Sequence, residues 1–337
     1  MVRVGIIGCG YWGPNLVRDF YEVDDVKVVS CADLSDDRLS AIKKRYPDVV
    51  TTKNSADIID DRSIDAVVIA TPAHTHYKLA RQSLMAGKHT LVEKPLAFVP
   101  EEAMELIEIS DKTKKVLMVG HTFEFNPAVE KMREYITKKE LGDVYYMTSR
   151  RLNLGKIRED INAMWNLAPH DVSIFIYLLG QMPTEVRAWG ASFLHDGIED
   201  FVTATLTFPN NIIANLQVSW LDPLKVRDMV LVGSKKMVVY DDVDNEGKIK
   251  VYDKGADKLA SSNGSFGEYQ IKLRAGDVLI PKLSMAEPLK KECEHFIKCI
   301  KENKTPLTDG RNGLRVVRVL AAAQESLKNG GKVVGIK

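Results

Sequence analysis

Three short stretches of this 337-residue chain hold the residue types that do chemistry. The first, VGIIGCGYWGPNL, sets Gly8, Gly10 and Gly13 in the spacing G-x-G-x-x-G between a strand-like and a helix-like run. Glycines there allow a tight turn, close approach of backbone to a pyrophosphate, and close packing of helix on strand. The helix N-terminus adds N–H groups and partial positive charge for the anion. The next strand-like run, VKVVSCAD, ends in Asp33, roughly 20 residues on, where a carboxylate suits the ribose hydroxyls of NAD and repels the 2′-phosphate of NADP. An ordinary tight turn with Asp33 as a capping acid is the plainer alternative, but it leaves the combination unexplained. Arg38 reads as a solvated helix residue. The second stretch, HTLVEKPLAF, ends an apolar run in Glu93 and Lys94, with Pro95 stiffening the backbone behind them. The third, WNLAPHDVSIF, puts His170 and Asp171 at the start of an apolar helix-like run, with Pro169 near its first turn. Taken alone, Glu93–Lys94 could be an exposed ion pair and His170 a core histidine bonded to backbone.

These residues need elements to hold them. Over the first 120 or so residues, short Val/Ile runs such as VRVGIIG, IDAVVIATP and VLMVGH alternate with amphipathic stretches. Among the latter, SDDRLSAIKKRY is capped by Ser35 and HYKLARQSLMAG is closed by Gly87. Continuous rather than alternating apolar runs imply strands covered on both faces, hence a doubly wound parallel sheet. The pattern then changes. In FVTATLTF and IIANLQVSW apolar and polar residues alternate, and the PNN between them reads as a hairpin loop. RDMVLVGSKKMVVYDD is a second hairpin, turning at Gly233. The stretch from 254 to 286 looks polar and irregular. Two terminal helices follow, the first aligning Leu289, Cys293, Phe296 and Ile300, the second ending on Gly330. The expected fold is α/β: a Rossmann domain over 1–122, then an α+β domain over 123–337 with a large open antiparallel sheet.

Bulk composition bounds the function. Lys plus Arg number 47 against 46 Asp plus Glu, so the basic surplus of a nucleic-acid binder is missing. No run approaches the roughly 20 apolar residues that span a bilayer, and no N-terminal signal is evident, so a cytoplasmic protein is expected. The four cysteines lack disulfide or metal spacing and read as reduced, structural thiols. The histidines at 74, 76, 121 and 170 form no ligand set, so no metal is expected.

With the glycine loop, ATPAHTHYKLA, AGKHTLVEKPLA and PHDVSIF in this order, the sequence resembles the Gfo/Idh/MocA oxidoreductase family along essentially its whole length. The EKP element is the most specific mark. GYWGPNLVRDF, RLNLGKIREDINAMWNLAPHDVSI and WLDPLKVRDMVLVG resemble its nucleotide-sugar branch, the UDP-N-acetylglucosamine and UDP-N-acetylglucosaminuronate 3-dehydrogenases. The resemblance implies a Rossmann domain followed by a domain with an open antiparallel sheet. It implies that Lys94 lies between nicotinamide and substrate, bonded to the hydroxyl being oxidised, with Glu93 orienting the loop or touching the nicotinamide ribose. It makes His170 the general base, a role that a side chain titrating at roughly 6.5 suits. Many relatives carry Asp four residues before this histidine. Asn166 stands there in this chain and cannot accept a proton.

Softer expectations follow. Thr71, Pro72 and His76 line the dinucleotide, and Tyr11 and Trp12 cover the pyrophosphate. Asn126, Arg151, Asn153, Asn166 and Arg227 join His170 in holding substrate, guanidiniums being suited to phosphates. The reaction is hydride transfer from a secondary hydroxyl of a UDP-N-acetylhexosamine or its uronic acid to NAD+. A free cyclic polyol such as an inositol is the alternative substrate, and a non-catalytic NAD-binding sensor is the alternative of another class. The resemblance implies a homodimer or homotetramer, another subunit covering the outer face of the open sheet, with the alternating faces of residues 201–220 as local support.

Overall fold

The structure, a computed structural model, describes residues 1–258, 271–284 and 286–337. The order of elements through the first part of the chain is β1 (Val2–Ile7), α1 (Gly13–Glu22), β2 (Val26–Ala32), α2 (Asp36–Arg45), β3 (Val50–Thr52), α3 (Ala56–Ile59), β4 (Ala66–Ile69), α4 (His76–Met85), β5 (His89–Glu93), α5 (Pro100–Thr113) and β6 (Leu117–Gly120). It continues with α6 (Pro127–Thr137), β7 (Val144–Leu152), α7 (Ala163–Leu179), β8 (Glu185–Ala191), β9 (Phe201–Phe208), β10 (Ile212–Ser219), β11 (Val226–Gly233), β12 (Met237–Asp241), β13 (Ile249–Lys258), β14 (Ile271–Leu279), α8 (Pro288–Glu302), α9 (Gly310–Lys328) and β15 (Val334–Gly335). Two compact units result. One comprises Met1–Asn126 with Ala286–Ala321, the other Pro127–Met285 with Ala322–Lys337.

The first unit is a six-stranded parallel sheet in the order β3-β2-β1-β4-β5-β6. Its strands are apolar on both sides because both sides are covered. One face packs Val4, Ile6 and Val28 against Leu16, Val17 and Phe20 of α1, Leu39 and Ile42 of α2, and Phe296 and Ile297 of α8. The other packs Ile7, Val67 and Ile69 against Leu84 of α4, Leu106 of α5 and Val317 of α9. A single cut after residue 122 misses this return of the C-terminal helices. Their apolar stripes complete the first sheet's cover, so the sequence division at 122/123 differs from the compact units. Segment 308–309 also pairs with β6: the Val119 N–H donates to the Thr308 carbonyl at 2.8 Å, and Thr308 Oγ1 donates to the Val119 carbonyl at 2.8 Å.

The second unit is a nine-stranded sheet in the order β14-β13-β12-β11-β7-β10-β9-β8-β15. Both expected hairpins are present, β9–β10 across Pro209–Asn211 and β11–β12 next to Gly233. One pair, β7 with β10, runs parallel, so the sheet is mixed although mostly antiparallel. Helix α7 packs on the face carrying Val202, Leu206, Leu216 and Val218. The stretch expected to be irregular instead contains long antiparallel strands, since β13 and β14 pair from Val251↔Leu279 to Lys258↔Ile271. The rest of that expectation, 259–270 and 285, falls outside the described residues. β14 is exposed along most of its length, so no burial pattern marks it in the sequence.

The seating of α8 gives a direct test. Phe296 is fully buried, its ring 6.3 Å from that of Phe20 in an edge-on pair. Phe296→Ala is expected to cost about 3–5 kcal/mol, measured by denaturant unfolding. A cost under about 1 kcal/mol means that α8 is not part of this core.

Candidate active site

In the first unit the strand order reverses between β1 and β4, and in open α/β sheets ligands bind beyond the carboxyl ends of the strands at such a switch point. Gly8 (φ +100°) follows β1, and a Cβ on it would lie 2.5 Å from the Ala70 carbonyl oxygen at the end of β4. A Cβ on Gly13 would lie 2.1 Å from the Gly8 carbonyl oxygen. These two glycines are therefore fixed by packing. Gly10 differs, because a Cβ there would meet only Arg38 Nη1 at 3.8 Å. Its openness is what close approach of a pyrophosphate needs. Helix α1 begins immediately after, with Pro14 in its first turn and no side chain capping it.

Asp33 closes this loop. Its Oδ2 accepts from the Cys9 N–H at 2.7 Å, its Oδ1 accepts from the Ser35 N–H at 2.9 Å, and Arg38 stands 3.5 Å away. Arg38 is thus held near the carboxylate and Gly10 rather than simply solvated. Tyr11 is largely exposed and stands edge-on to Trp12 at 5.6 Å, both at the mouth of the loop.

After β4, Thr71 Oγ1 and Thr75 Oγ1 are 2.6 Å apart. His76, expected to line the dinucleotide, is instead buried. Its Nδ1 lies 2.8 Å from the Pro95 carbonyl and its Nε2 2.9 Å from the Thr71 carbonyl, so the ring ties the loop after β4 to the loop after β5. Burial holds its pKa below the ordinary histidine range. Across that tie stands the cis Lys94–Pro95 bond. Glu93 ends β5 opposite Gly120, where an added Cβ would come 3.1 Å from Glu93 Oε2. Burial raises Glu93 to about 7, against the pull of the Lys94 charge and backbone. Asn126 is buried at the end of the turn 122–125, its N–H donating to the Phe123 carbonyl at 3.1 Å.

In the second unit, α7 begins at Ala163, capped by Asn162 Oδ1, which accepts from the Trp165 N–H at 3.0 Å. Pro169 therefore sits inside the helix, not near its first turn, and His170 lies two turns in. The earlier start follows from that cap. Asn166 and His170 are one turn apart, hence on one face, and both are partly accessible while most of α7 is buried. Asn166 Oδ1 accepts from Trp220 Nε1 at 3.1 Å. Asn153 packs on Gly155, its Nδ2 lying 2.5 Å from where a Cβ would stand.

The arginines expected to hold substrate, Arg151 and Arg227, each face a carboxylate of the second unit. Arg151 is buried, and its Nε and Nη2 donate to Asp171 at 2.8 and 3.3 Å. Burial works against its charge, and Asp171 outweighs burial. Asp171 thus anchors β7 to α7. Arg227 faces Asp242 at 3.8 Å, and Arg150 pairs with Asp228. No cluster of three or more His, Cys, Asp or Glu that could hold a metal occurs among the described residues, and none of their helices is long and apolar enough to cross a membrane.

Removing one partner of a buried pair strands the other's charge. Arg151→Ala is therefore expected to cost about 3–5 kcal/mol, and Arg151→Met with Asp171→Leu much less, by denaturant unfolding. Full stability of Arg151→Ala would free that guanidinium for another task.

Comparison with known proteins agrees with this geometry. Residues 2–121 match the Gfo/Idh/MocA model, an oxidoreductase family with an NAD-binding Rossmann fold, and residues 129–239 match the Gfo/Idh/MocA C-terminal domain. A UDP-N-acetylglucosamine 3-dehydrogenase of Acidithiobacillus ferrooxidans is 31% identical over 96% of this chain and 95% of its own. The solved structure of such an enzyme from that organism aligns with a TM-score of 0.80 at 26% identity, over 97% of each chain. A myo-inositol 2-dehydrogenase of Thermotoga maritima is 25% identical over 97% of this chain and 96% of its own. A levoglucosan dehydrogenase solved with NADH shares the fold, with a TM-score of 0.82 at 19% identity over 100% of this chain and 99% of that one. The chain belongs to the Gfo/Idh/MocA family of NAD-binding oxidoreductases.

Proposed function

We propose that the protein oxidises a secondary hydroxyl of a sugar to the ketone, the sugar being a UDP-N-acetylhexosamine or its uronic acid and the hydroxyl that on the third ring carbon. The carbinol carbon gives its hydride to NAD+, the hydroxyl gives up a proton, and the products are the keto-sugar, NADH and that proton. The observation that carries the reaction class is Glu93–Lys94 at the carboxyl end of β5, tied through His76 to the loop after β4. The cofactor supplies the hydride acceptor. Lys94 donates a hydrogen bond to the hydroxyl and stabilises developing negative charge on its oxygen. His170 takes the hydroxyl proton. With Asn166 one turn away committed to Trp220 as an acceptor, no carboxylate at that position passes the proton on. Gly10, the start of α1 and Asp33 hold the dinucleotide, Thr71 and Pro72 line it, and Tyr11 and Trp12 cover the pyrophosphate.

The choice of sugar rests on similarity to the UDP-N-acetylglucosamine 3-dehydrogenase. A second reading, a free cyclic polyol, is favoured by the engagement of Arg151 with Asp171 and of Arg227 with Asp242, which takes both expected phosphate ligands. On the first reading Asn126, Asn153 and backbone N–H groups carry more of the substrate than arginine does. The proposal includes a homodimer or homotetramer formed through the outer face of the nine-stranded sheet. Tyr146 and Trp189 lie exposed on that face, Tyr146 in register with Thr207 of β9 through Ile213 of β10, and Trp189 paired directly with Thr203 of β9.

The test is NADH absorbance with NAD+ and four candidates: UDP-N-acetylglucosamine, its uronic acid, free N-acetylglucosamine and myo-inositol. Turnover is expected on a UDP-sugar. Lys94→Met is expected to lower kcat by about 10²–10³ while NAD binding, followed by fluorescence of bound NADH, stays within about twofold. Turnover on the polyol alone selects the second reading, and undiminished turnover by Lys94→Met removes the role given to that lysine.

A further inference from the structure

Just past the end of β10, three loops of the second unit meet at Trp220. Its N–H donates to the Asp200 carbonyl at 3.1 Å, and its carbonyl accepts from the Gly155 N–H at 3.2 Å. Asp200 is fixed in turn, because its buried Oδ2 accepts from the Phe193 and Leu194 N–H groups at 2.7 and 3.0 Å. The backbone of residue 220 is thus held without help from its side chain. The indole is 1% exposed, and its Nε1 donates to Asn166 Oδ1 of α7 at 3.1 Å.

An indole nitrogen donates and never accepts. Of the two ends of the Asn166 carboxamide only the oxygen can face it, so the partner's chemistry settles which way the amide is turned. The Nδ2 end is then the donor end, and its polarity holds whatever else it touches. Asn166 and His170 share one face of α7, one turn apart, with about 5–6 Å between Cβ atoms in such a pair. We propose that Trp220 is a positioning residue that sets Asn166 as a donor, and that Asn166 reads an acceptor oxygen on the ring carbon next to the one oxidised. In an N-acetylhexosamine that oxygen is the acetamido carbonyl. This rests on the sugar reading above and on the role given there to His170, since substituents on neighbouring ring carbons can span one helical turn.

Selectivity follows from the fixed polarity. An amide that turned freely would offer either end to the sugar. Held as a donor, Asn166 satisfies a carbonyl oxygen, whereas a hydroxyl in the same place brings a proton that Asn166 cannot accept. An aspartate at this position would also accept from the indole, but its second oxygen would set an acceptor against the carbonyl. The amide gives up a resting place for the proton and gains a donor of fixed direction.

The experiment has a spectroscopic and a kinetic arm, both on the full-length protein. In nitrogen–proton NMR spectra the Trp220 indole signal, one of four, is identified by its loss in Trp220→Phe. If that variant does not fold, Trp12→Phe, Trp165→Phe and Trp189→Phe identify it by elimination. The signal is expected to move upfield in Asn166→Ala and to stay downfield in Asn166→Asp. A signal unmoved in Asn166→Ala overturns the orientation. In the kinetic arm the wild type is expected to prefer UDP-N-acetylglucosamine to UDP-glucose in kcat/KM by about tenfold. Asn166→Ala is expected to lose that preference and Asn166→Asp to reverse it, since a hydroxyl donates to a carboxylate, with KM for NAD unchanged in both. Trp220→Phe is expected to lower the preference by about threefold and to have no further effect on it in the Asn166→Ala background. A preference that survives Asn166→Ala, with the sugar still turned over, overturns the acetamido contact alone. A Trp220→Phe effect that persists in that background makes Trp220 a packing residue and overturns its positioning role. Turnover of a free polyol alone overturns the sugar reading and the acetamido contact together, while the NMR arm, which needs no turnover, decides the orientation separately.

Discussion

The parallel sheet of the first unit is buried on both faces, and that constraint decides where chemistry is possible. A strand covered on two sides offers ligands only its ends. Right-handed crossovers bring every loop after β1, β4, β5 and β6 to the carboxyl edge. The glycine loop, Thr71–Pro72, Glu93–Lys94 and His121–Thr122 are four such loops, and this is why residues scattered over more than a hundred positions of sequence can serve one cofactor. His76 joins two of them by touching the Thr71 and Pro95 carbonyls. Its loss from the expected cofactor contacts is a gain in rigidity, since the EKP turn cannot shift without disturbing the loop that follows β4.

The legible parts of the sequence are those where local chemistry and long-range packing coincide. Gly8 and Gly13 are readable because no other residue fits where a Cβ would meet backbone oxygen. Asp33 is readable because it ends the strand beside the glycine loop. The β9–β10 pair is readable because one face is buried and the other is not, so alternation appears in the sequence itself. Exposed β14 has no such contrast, and its pairing with β13 is invisible to periodicity.

Long-range partners are not legible. The return of α8 and α9 to the first unit is written only as two apolar stripes, which any core could accept. Arg151 reads as a phosphate ligand because its partner, Asp171, lies 20 residues on, in a different element. One signal does stand in the sequence without a motif to announce it. Glu292 lies between Leu289, Cys293 and Phe296 on the stripe of α8 that the sequence marks as buried. An acid there either takes up a partner, as Glu292 does with Thr122, or keeps its proton.

Both units pair cations with carboxylates of their own, in the first Arg18 with Asp19, Arg81 with Glu105 and Lys301 with Asp25. In the second, cations are matched with carboxylates of the same unit: Arg151 with Asp171, Arg150 with Asp228, Arg227 and Lys248 with Asp242. Such pairs fix register between strands and between sheet and helix. In the first unit the buried groups around β5 and β6 include the acids Glu124 and Glu292 as well as Lys88, whose Nζ donates to the Asp61 and Ile64 carbonyls. Acids in excess of cations are costly to bury, and natural sequences tolerate that cost chiefly at functional sites. Ground-state stability alone favours replacing Glu93 or Glu292 by an amide.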